Sequence, residues 1–288
     1  MEVDIIRLLF VFLGGYFLCL SGSLSQLITN NGIASPSTLG MDGMAVLTII
    51  IAQFAVKMFG FDVSLGTLSF LLFSAFIGIL YFATRKTKNA EGNVWQFMEM
   101  KKVIILGLAF NLFVGAIFSV IQFLFMSLNF DFPTGIWFGN FKQFQTYWII
   151  FYLVGLFCCA GFVFKHAHQL SLLNLGKSFA LGRGTDLTEI QRRSLFLSLF
   201  LTGLVICFFG VFSFLGLIFP HILRSMKIFR SHMQWEIFYG PIIAGVILMV
   251  FDTFCYNFTF YGAELPVGMT SSIIGAFFLI ILVLRQKV

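Results

Sequence analysis

An all-α, polytopic transmembrane helical bundle of about nine helices, one of them short or broken and returning, is predicted by three features of the sequence. Hydrophobic residues make up 59% of the chain and charged residues 10%, with a mean hydropathy of +0.97. A globule of that composition could not keep a water-facing surface, so lipid is its solvent. The apolar residues also run continuously for about the 20 positions that a helix needs to cross a bilayer. They do not alternate as the strands of a membrane β-barrel would. Finally, fifteen of the eighteen basic residues fall into four regions separated by apolar chain, and Lys and Arg in short loops stay on the cytoplasmic side.

Eight apolar blocks follow in order, at about 5–24, 44–59, 65–83, 103–125, 146–164, 194–220, 238–258 and 267–284. The basic regions lie at Arg85 to Lys102, Lys165 to Arg193, Arg224 to Arg230 and Arg285 to Lys287, with Arg7, Lys57 and Lys142 in the gaps. If all four regions are cytoplasmic, block 194–220 leaves the cytoplasm and returns to it. Two full spans would take about 40 residues, and fewer than 30 are present. A short helix must therefore turn back, with Gly210, Gly216 and Pro220 as the expected punctuation. The count becomes nine crossings, with the N-terminus outside and the C-terminus cytoplasmic. An acidic Met1-Glu2-Val3-Asp4 start agrees with that orientation and argues against a cleavable signal peptide.

Residues 165–193 form the longest cytoplasmic connection. Leu170, Leu172, Leu173, Leu175, Phe179 and Leu181 make it partly apolar, which calls for a partner surface. Gly182-Arg183-Gly184 interrupts the helical pattern, and Asp186 to Arg193 restarts it with Thr185 as the expected cap, giving two short helices around a glycine bend. The net charge of +6 reflects this topology and carries no nucleic-acid reading.

Chemistry-bearing motifs are few. Gly176-Lys177-Ser178 supplies only the end of a phosphate-binding loop; Ser171 stands where its first glycine would be and no strand precedes it, so no ATP site is expected in this chain. The five cysteines lie in apolar stretches without CxxC spacing and read as buried structural thiols. His166, His168, His221 and His232 lack the company of metal ligands, and no metal or haem site is expected. Asp42 and Asp252 sit in or at the edge of the apolar blocks, where a carboxylate is expensive and serves either ion coupling or, more commonly, a helix end or interhelical hydrogen bond. The aromatic run from Tyr256 to Tyr261 reads as an interfacial belt.

Three segments carry a family resemblance. Ser21-Gly22, followed by Gln26, Asn31, Ala34, Pro36, Gly40 and Ala45, resembles the signature of the FecCD-like permeases. The segment from Ser213 through Gly216, Pro220 and His221 to Arg224 is similar to that family's GFxGLIxPHxxR segment, and Ala263-Glu264-Leu265-Pro266-Val267-Gly268 to its AELPxG turn before the last helix. The resemblance implies a type II ABC importer permease for iron–siderophore complexes, haem or cobalamin, in that order of expectation. It implies the family's ten-helix fold entered at the second helix, and a single permease domain over 1–288. The expected partners are a second permease subunit, favouring a heterodimer, a cytoplasmic ATPase pair that binds ATP and Mg, and an extracytoplasmic binding protein.

Under the resemblance, Leu175, Gly176, Leu181, Gly182 and Gly184 fall in the ATPase-coupling loop. Arg7, Tyr256 and Glu264 fall on the outer face where the binding protein docks. Arg7 takes the place of one docking arginine of the cobalamin-type relatives, whereas Asp4 and Tyr256 stand where two others would be. No catalytic residue and no cofactor of its own is implied, and the location is the bacterial cytoplasmic membrane. The alternative is a secondary transporter or ion channel that uses Asp42 and Asp252 as coupling groups.

Overall fold

A computed structural model describes residues 5–60, 63–86, 100–127, 138–226, 233–260 and 263–285. Among them are ten α-helices: α1 (Ile5–Thr29), α2 (Met41–Phe59), α3 (Leu65–Lys86), α4 (Met100–Ser127), α5 (Ile149–Asn174), α6 (Lys177–Gly182), α7 (Leu187–Phe209), α8 (Leu215–Ser225), α9 (Met233–Asn257) and α10 (Val267–Arg285). Seven of these, namely α1 to α5, α7 and α9, are long and apolar enough to cross a membrane, with the last turn before α5 a 3-10 helix (Thr146–Trp148). The 11-residue α8 and the shorter apolar stretch of α10 complete the nine helices expected in the bilayer. The only strands among the described residues are Thr259–Phe260 and Ala263–Glu264, an antiparallel pair of two residues each that turns the chain into α10.

α1 is the axis of the bundle. It is buried from Leu13 to Thr29 except at Tyr16, and it packs on α9, α7, α8 and α5. Helices in lipid gain nothing from hiding apolar surface from each other, so close approach through small residues is what holds them. A Cβ on Gly15 would come within 2.9 Å of the Ala244 carbonyl and the Gly245 Cα of α9, and one on Gly22 within 1.7 Å of the Gly216 carbonyl of α8. The half of the core toward the N-terminus of α1 is aromatic. Phe10, Phe141, Tyr152, Phe208 and Phe209 meet there with ring centroids 4.8 to 6.1 Å apart. By contrast α4 exposes Ile105, Leu112, Phe113 and Phe123 along its length, and α10 exposes Ile273, Phe277 and Leu284.

Several expectations need correction. Block 194–220 does break, but the break is Gly210 to Phe214 alone, where Gly210 takes φ 86° and Phe214 φ 66°. Gly216 and Pro220 lie inside α8 and do not punctuate it. Basic residues from Lys165 onward do not end α5, which continues to Asn174 because Leu170, Leu172 and Leu173 bury against the core. The 165–193 segment therefore contains the end of α5, one short helix and the first turns of α7, not two separate short helices. The cap of α7 is Asp186, whose Oδ1 accepts from the Glu189 N–H at 3.1 Å, while Thr185 is buried one residue earlier. Cys19, Cys159, Cys207 and Cys255 are buried, but Cys158 is exposed on the apolar face of α5; all five are free thiols.

Candidate functional site

At the basic end of the bundle, the 165–193 segment folds into a hook. Gly176 leaves α5 with φ 124° and Gly184 leaves α6 with φ 75°, conformations open to glycine and costly to other residues. Between them α6 anchors through buried Ala180, whose N–H donates to the Gly176 carbonyl at 3.0 Å. Its other faces are open. Leu175 is 66% exposed, Phe179 43% and Leu181 60%, and the Arg183 guanidinium lies 5.4 Å from the Phe179 ring centroid. Apolar tips clustered beside charges at the basic end of the molecule, away from the long apolar faces, have the composition of a protein-contact surface. Gly182 ends α6 and contributes no side chain. Helix precedes Gly176-Lys177-Ser178, so the phosphate-loop geometry is absent.

A charged network joins α1, α8 and α9. Arg224 donates from Nε to Glu236 Oε2 at 2.9 Å, from Nη2 to Glu236 Oε1 at 2.8 Å, and from Nη1 to Gln26 Oε1 at 2.7 Å. Ser23 Oγ adds a donor to Glu236 Oε1 at 3.1 Å. The carboxylate is 2% exposed and thus fully matched by a bidentate fork and a hydroxyl. On a different face of α1, Ser198 donates to the Ser21 carbonyl at 3.0 Å and Thr202 to Ser21 Oγ at 3.1 Å, tying α7 to that helix.

The loop after α1 wraps α8. Asn31 Oδ1 accepts from the Ile33 N–H at 3.0 Å, Gly32 lies against the His221 ring, and a Cβ on Gly216 would meet Pro36 Cδ at 3.5 Å. His221 Nδ1 donates to the Leu217 carbonyl at 3.0 Å and its ring packs edge-on to Phe278 of α10. Gly40 takes φ 92° to start α2, where a Cβ would also crowd Gly107 of α4. Pro266 leads into α10, and the Gly268 N–H donates to the Gly139 carbonyl at 2.8 Å, with no room for a side chain between them. All three resemblance segments thus converge on α8 and its neighbours.

The end of the bundle at the N-terminus of α1 is arranged differently from a row of free docking groups. Arg7 Nη2 donates to Asp252 Oδ2 at 2.7 Å, and its guanidinium carbon sits 4.5 Å from the Tyr256 ring centroid. Arg7 and Tyr256 are brought together; the side chain of Glu264 lies outside the described residues. Lys142 stands near the same ring at 5.9 Å, and desolvation followed by repulsion from Arg7 pushes its ammonium below the usual lysine range. Asp42 lies in the first turn of α2 beside the Ser37 and Ser213 side chains, where unsatisfied helix N–H groups favour a carboxylate. Among the described residues no group of His, Cys, Asp and Glu could hold a metal ion; His232 lies outside them.

Sequence reading passed over Glu236 and Asn111. Glu236 had a signal: an acidic residue at the edge of an apolar block, 12 positions after the basic Arg224. Asn111 had none beyond being polar in the middle of block 103–125. It donates from Nδ2 to the Ser37 carbonyl at 2.6 Å and accepts on Oδ1 from the Gly43 N–H at 2.7 Å, satisfying one of the orphan donors at the start of α2. Replacing it with Ala strips both partners at once. Asn111→Ala is expected to cost about 1–3 kcal/mol, read as a lower unfolding midpoint in detergent.

Small-residue crossings, a half-length returning helix and a hooked basic end together define a multi-pass membrane permease fold. The particular family follows from comparison: the model of the FecCD transport family matches residues 1–285, and the chain belongs to that family. Among its relatives, the hemin transport system permease protein HmuU of Yersinia pestis is 28% identical over all of this chain and 83% of its own length. The vitamin B12 import system permease protein BtuC of Vibrio vulnificus is 26% identical over 97% of this chain and 81% of its own. The iron(3+)-hydroxamate import system permease protein FhuG of Bacillus subtilis is 24% identical over 99% and 83%. A solved inward-facing metal-chelate type ABC transporter shares the fold, with a TM-score of 0.75 at 22% identity over 99% of this chain and 88% of its own.

Proposed function

We propose that the chain is the membrane permease of an ABC importer for an iron chelate, with siderophore, haem and cobalamin as the substrates in order of expectation. Family membership and the transport functions of the named relatives, which cover haemin, vitamin B12 and iron–hydroxamate, support the reading. The observation that carries it is the hook: Leu175, Phe179 and Leu181 present apolar tips on a short glycine-bounded helix at the basic end. An ATP-hydrolysing partner docks there, and its closure on ATP is passed through α6 to the ends of α5 and α7, so that the path between two permease halves opens to one side at a time. With the basic end cytoplasmic, the N-terminus of α1 and the Arg7 cluster face the binding protein. Chemistry on bonds is left to the partner.

Gentle purification from the native membrane tests this. An ATPase is expected to accompany the chain, with hydrolysis that rises when a loaded binding protein is added; a chain that purifies alone and moves ions after reconstitution would overturn the reading. The mass of the complex separates two copies of this chain from a pair with a related permease. A carboxylate-coupled secondary transporter is not favoured, since Asp252 is committed to Arg7 and the relatives are transport and import system permeases. Leu181→Asp puts a charge on a tip that is mostly exposed, where little packing inside the chain is lost. It is expected to lower retention of the ATPase at least tenfold in a pull-down, with the unfolding midpoint unchanged.

A further inference from the structure

A second basic feature stands apart from the hook, on the side of the bundle where α3, α5 and α7 meet. There the apolar run of α5 ends at Phe164 and the cations begin, which is the depth of lipid headgroups. A cavity of about 430 Å³ opens to the outside of the bundle at this level. Its rim is Lys165, His166 and Arg193, and its floor is Gly161, Phe162, Leu197 and Phe200.

Hydrogen bonding presets the rim. His166 Nδ1 lies 2.7 Å from Gln169 Oε1 and Nε2 lies 3.4 Å from Arg193 Nη1. A guanidinium only donates, so Nε2 accepts and Nδ1 carries the proton. Arg193 also donates from Nε to Glu189 Oε1 at 2.7 Å, and Nη2 has no partner among the described residues. Arg192, which shares Glu189, is buried with its guanidinium over the Tyr81 ring that lines the cavity. The carboxylate is therefore shared between two arginines, and Lys165 adds a further exposed cation with its stem along the apolar floor. The net charge at the rim stays positive.

We infer that this cavity is a binding site for one anionic phospholipid, with its phosphate between Lys165 and Arg193 and an acyl chain along Gly161, Phe162, Leu197 and Phe200. Cations above an apolar floor, at the point where a spanning helix leaves the hydrocarbon, fit a lipid better than a soluble anion, which would leave the floor uncovered. The bound lipid would brace the ends of α5 and α7, the two helices that carry the hook.

The test uses the full chain with the subunits that accompany it, delipidated in mild detergent and titrated with dioleoyl phosphatidylglycerol, dioleoyl phosphatidylcholine or inorganic phosphate, with bound molecules counted by native mass spectrometry. Phosphatidylglycerol is expected to bind at least tenfold more tightly than phosphatidylcholine, and inorganic phosphate not to displace it. Lys165→Gln with Arg193→Gln is expected to weaken the anionic lipid about 30-fold, which is about 1 kcal/mol for each cation. Gly161→Phe keeps every cation and fills the floor; a Cβ there meets nothing within 4 Å, an unchanged unfolding midpoint checks that the variant folds, and it is expected to weaken the lipid to a similar degree. Equal binding of the two lipids, unchanged binding in both variants, or displacement by phosphate would each overturn the assignment.

Discussion

Gly22→Ala is expected to abolish the folded permease: extracted protein should run as aggregate, with no cooperative unfolding transition. The added Cβ would stand 1.7 Å from the Gly216 carbonyl oxygen and 2.6 Å from its carbon, and both are backbone atoms that no rotamer change can move. Relief requires α1 and α8 to separate along their crossing, which would pull Gln26 from Arg224, the residue that also holds Glu236. Overpacking a core costs roughly 1–3 kcal/mol when side chains give way, and a backbone clash coupled to a charge network exceeds that. The control is Gly78→Ala on α3, where a Cβ meets nothing within 4 Å. That variant should fold with an unchanged or slightly raised midpoint, because Ala is the better helix former by about 0.5–1 kcal/mol. Folding of Gly22→Ala with a normal midpoint would mean that the crossing is looser than described.

Arg224→Ala carries the second large effect. It leaves the Glu236 carboxylate, 2% exposed, with one hydroxyl for company. Breaking a buried pair by removing one partner costs about 3–5 kcal/mol, because the remaining charge is stranded. Arg224 is itself a third exposed, so the lower end of that range applies. The diagnostic is the double variant. Arg224→Met with Glu236→Met removes both charges at similar volume and is expected to recover most of the lost midpoint, while Arg224→Met alone is not. Failure of the double variant to recover would show that Gln26 and Ser23, left without their partners, account for the loss.

The helices were legible because hydrophobic runs and positive charge are both local signals. The returning helix is the clearest case: charge demanded two crossings from a block too short for them, and α7, the Gly210–Phe214 break and α8 answer that demand. Boundaries were less legible where burial overrode charge, as in α5, which keeps its helix past Lys165 and His166 because His166 itself is buried. The site was legible in part. Exposed Leu175 and Leu181 could be read from an apolar pattern in a charged loop, but the pairing of Arg7 with Asp252, 245 positions apart, could not. Nothing local in either residue distinguishes a docking arginine or a coupling aspartate from two halves of an ion pair. Asn111 was hidden for the same reason, since its partners Ser37 and Gly43 lie on elements that meet α4 only after folding.

Pro220 gives the Gly216 contact a chemical meaning. In a helix the carbonyl of residue 216 would accept from the N–H of residue 220, and proline has none. The oxygen so released is the atom that faces Gly22, close enough for the Cα–H of that glycine to serve as its weak donor. Glycine on one helix and proline four places after glycine on the other thus form a single unit, in which one residue vacates an acceptor and another, by lacking a side chain, fills it. The spacing from Gly216 to Pro220 is a hydrogen-bonding rule written across two helices, and at this point the returning helix meets the axis of the bundle backbone to backbone.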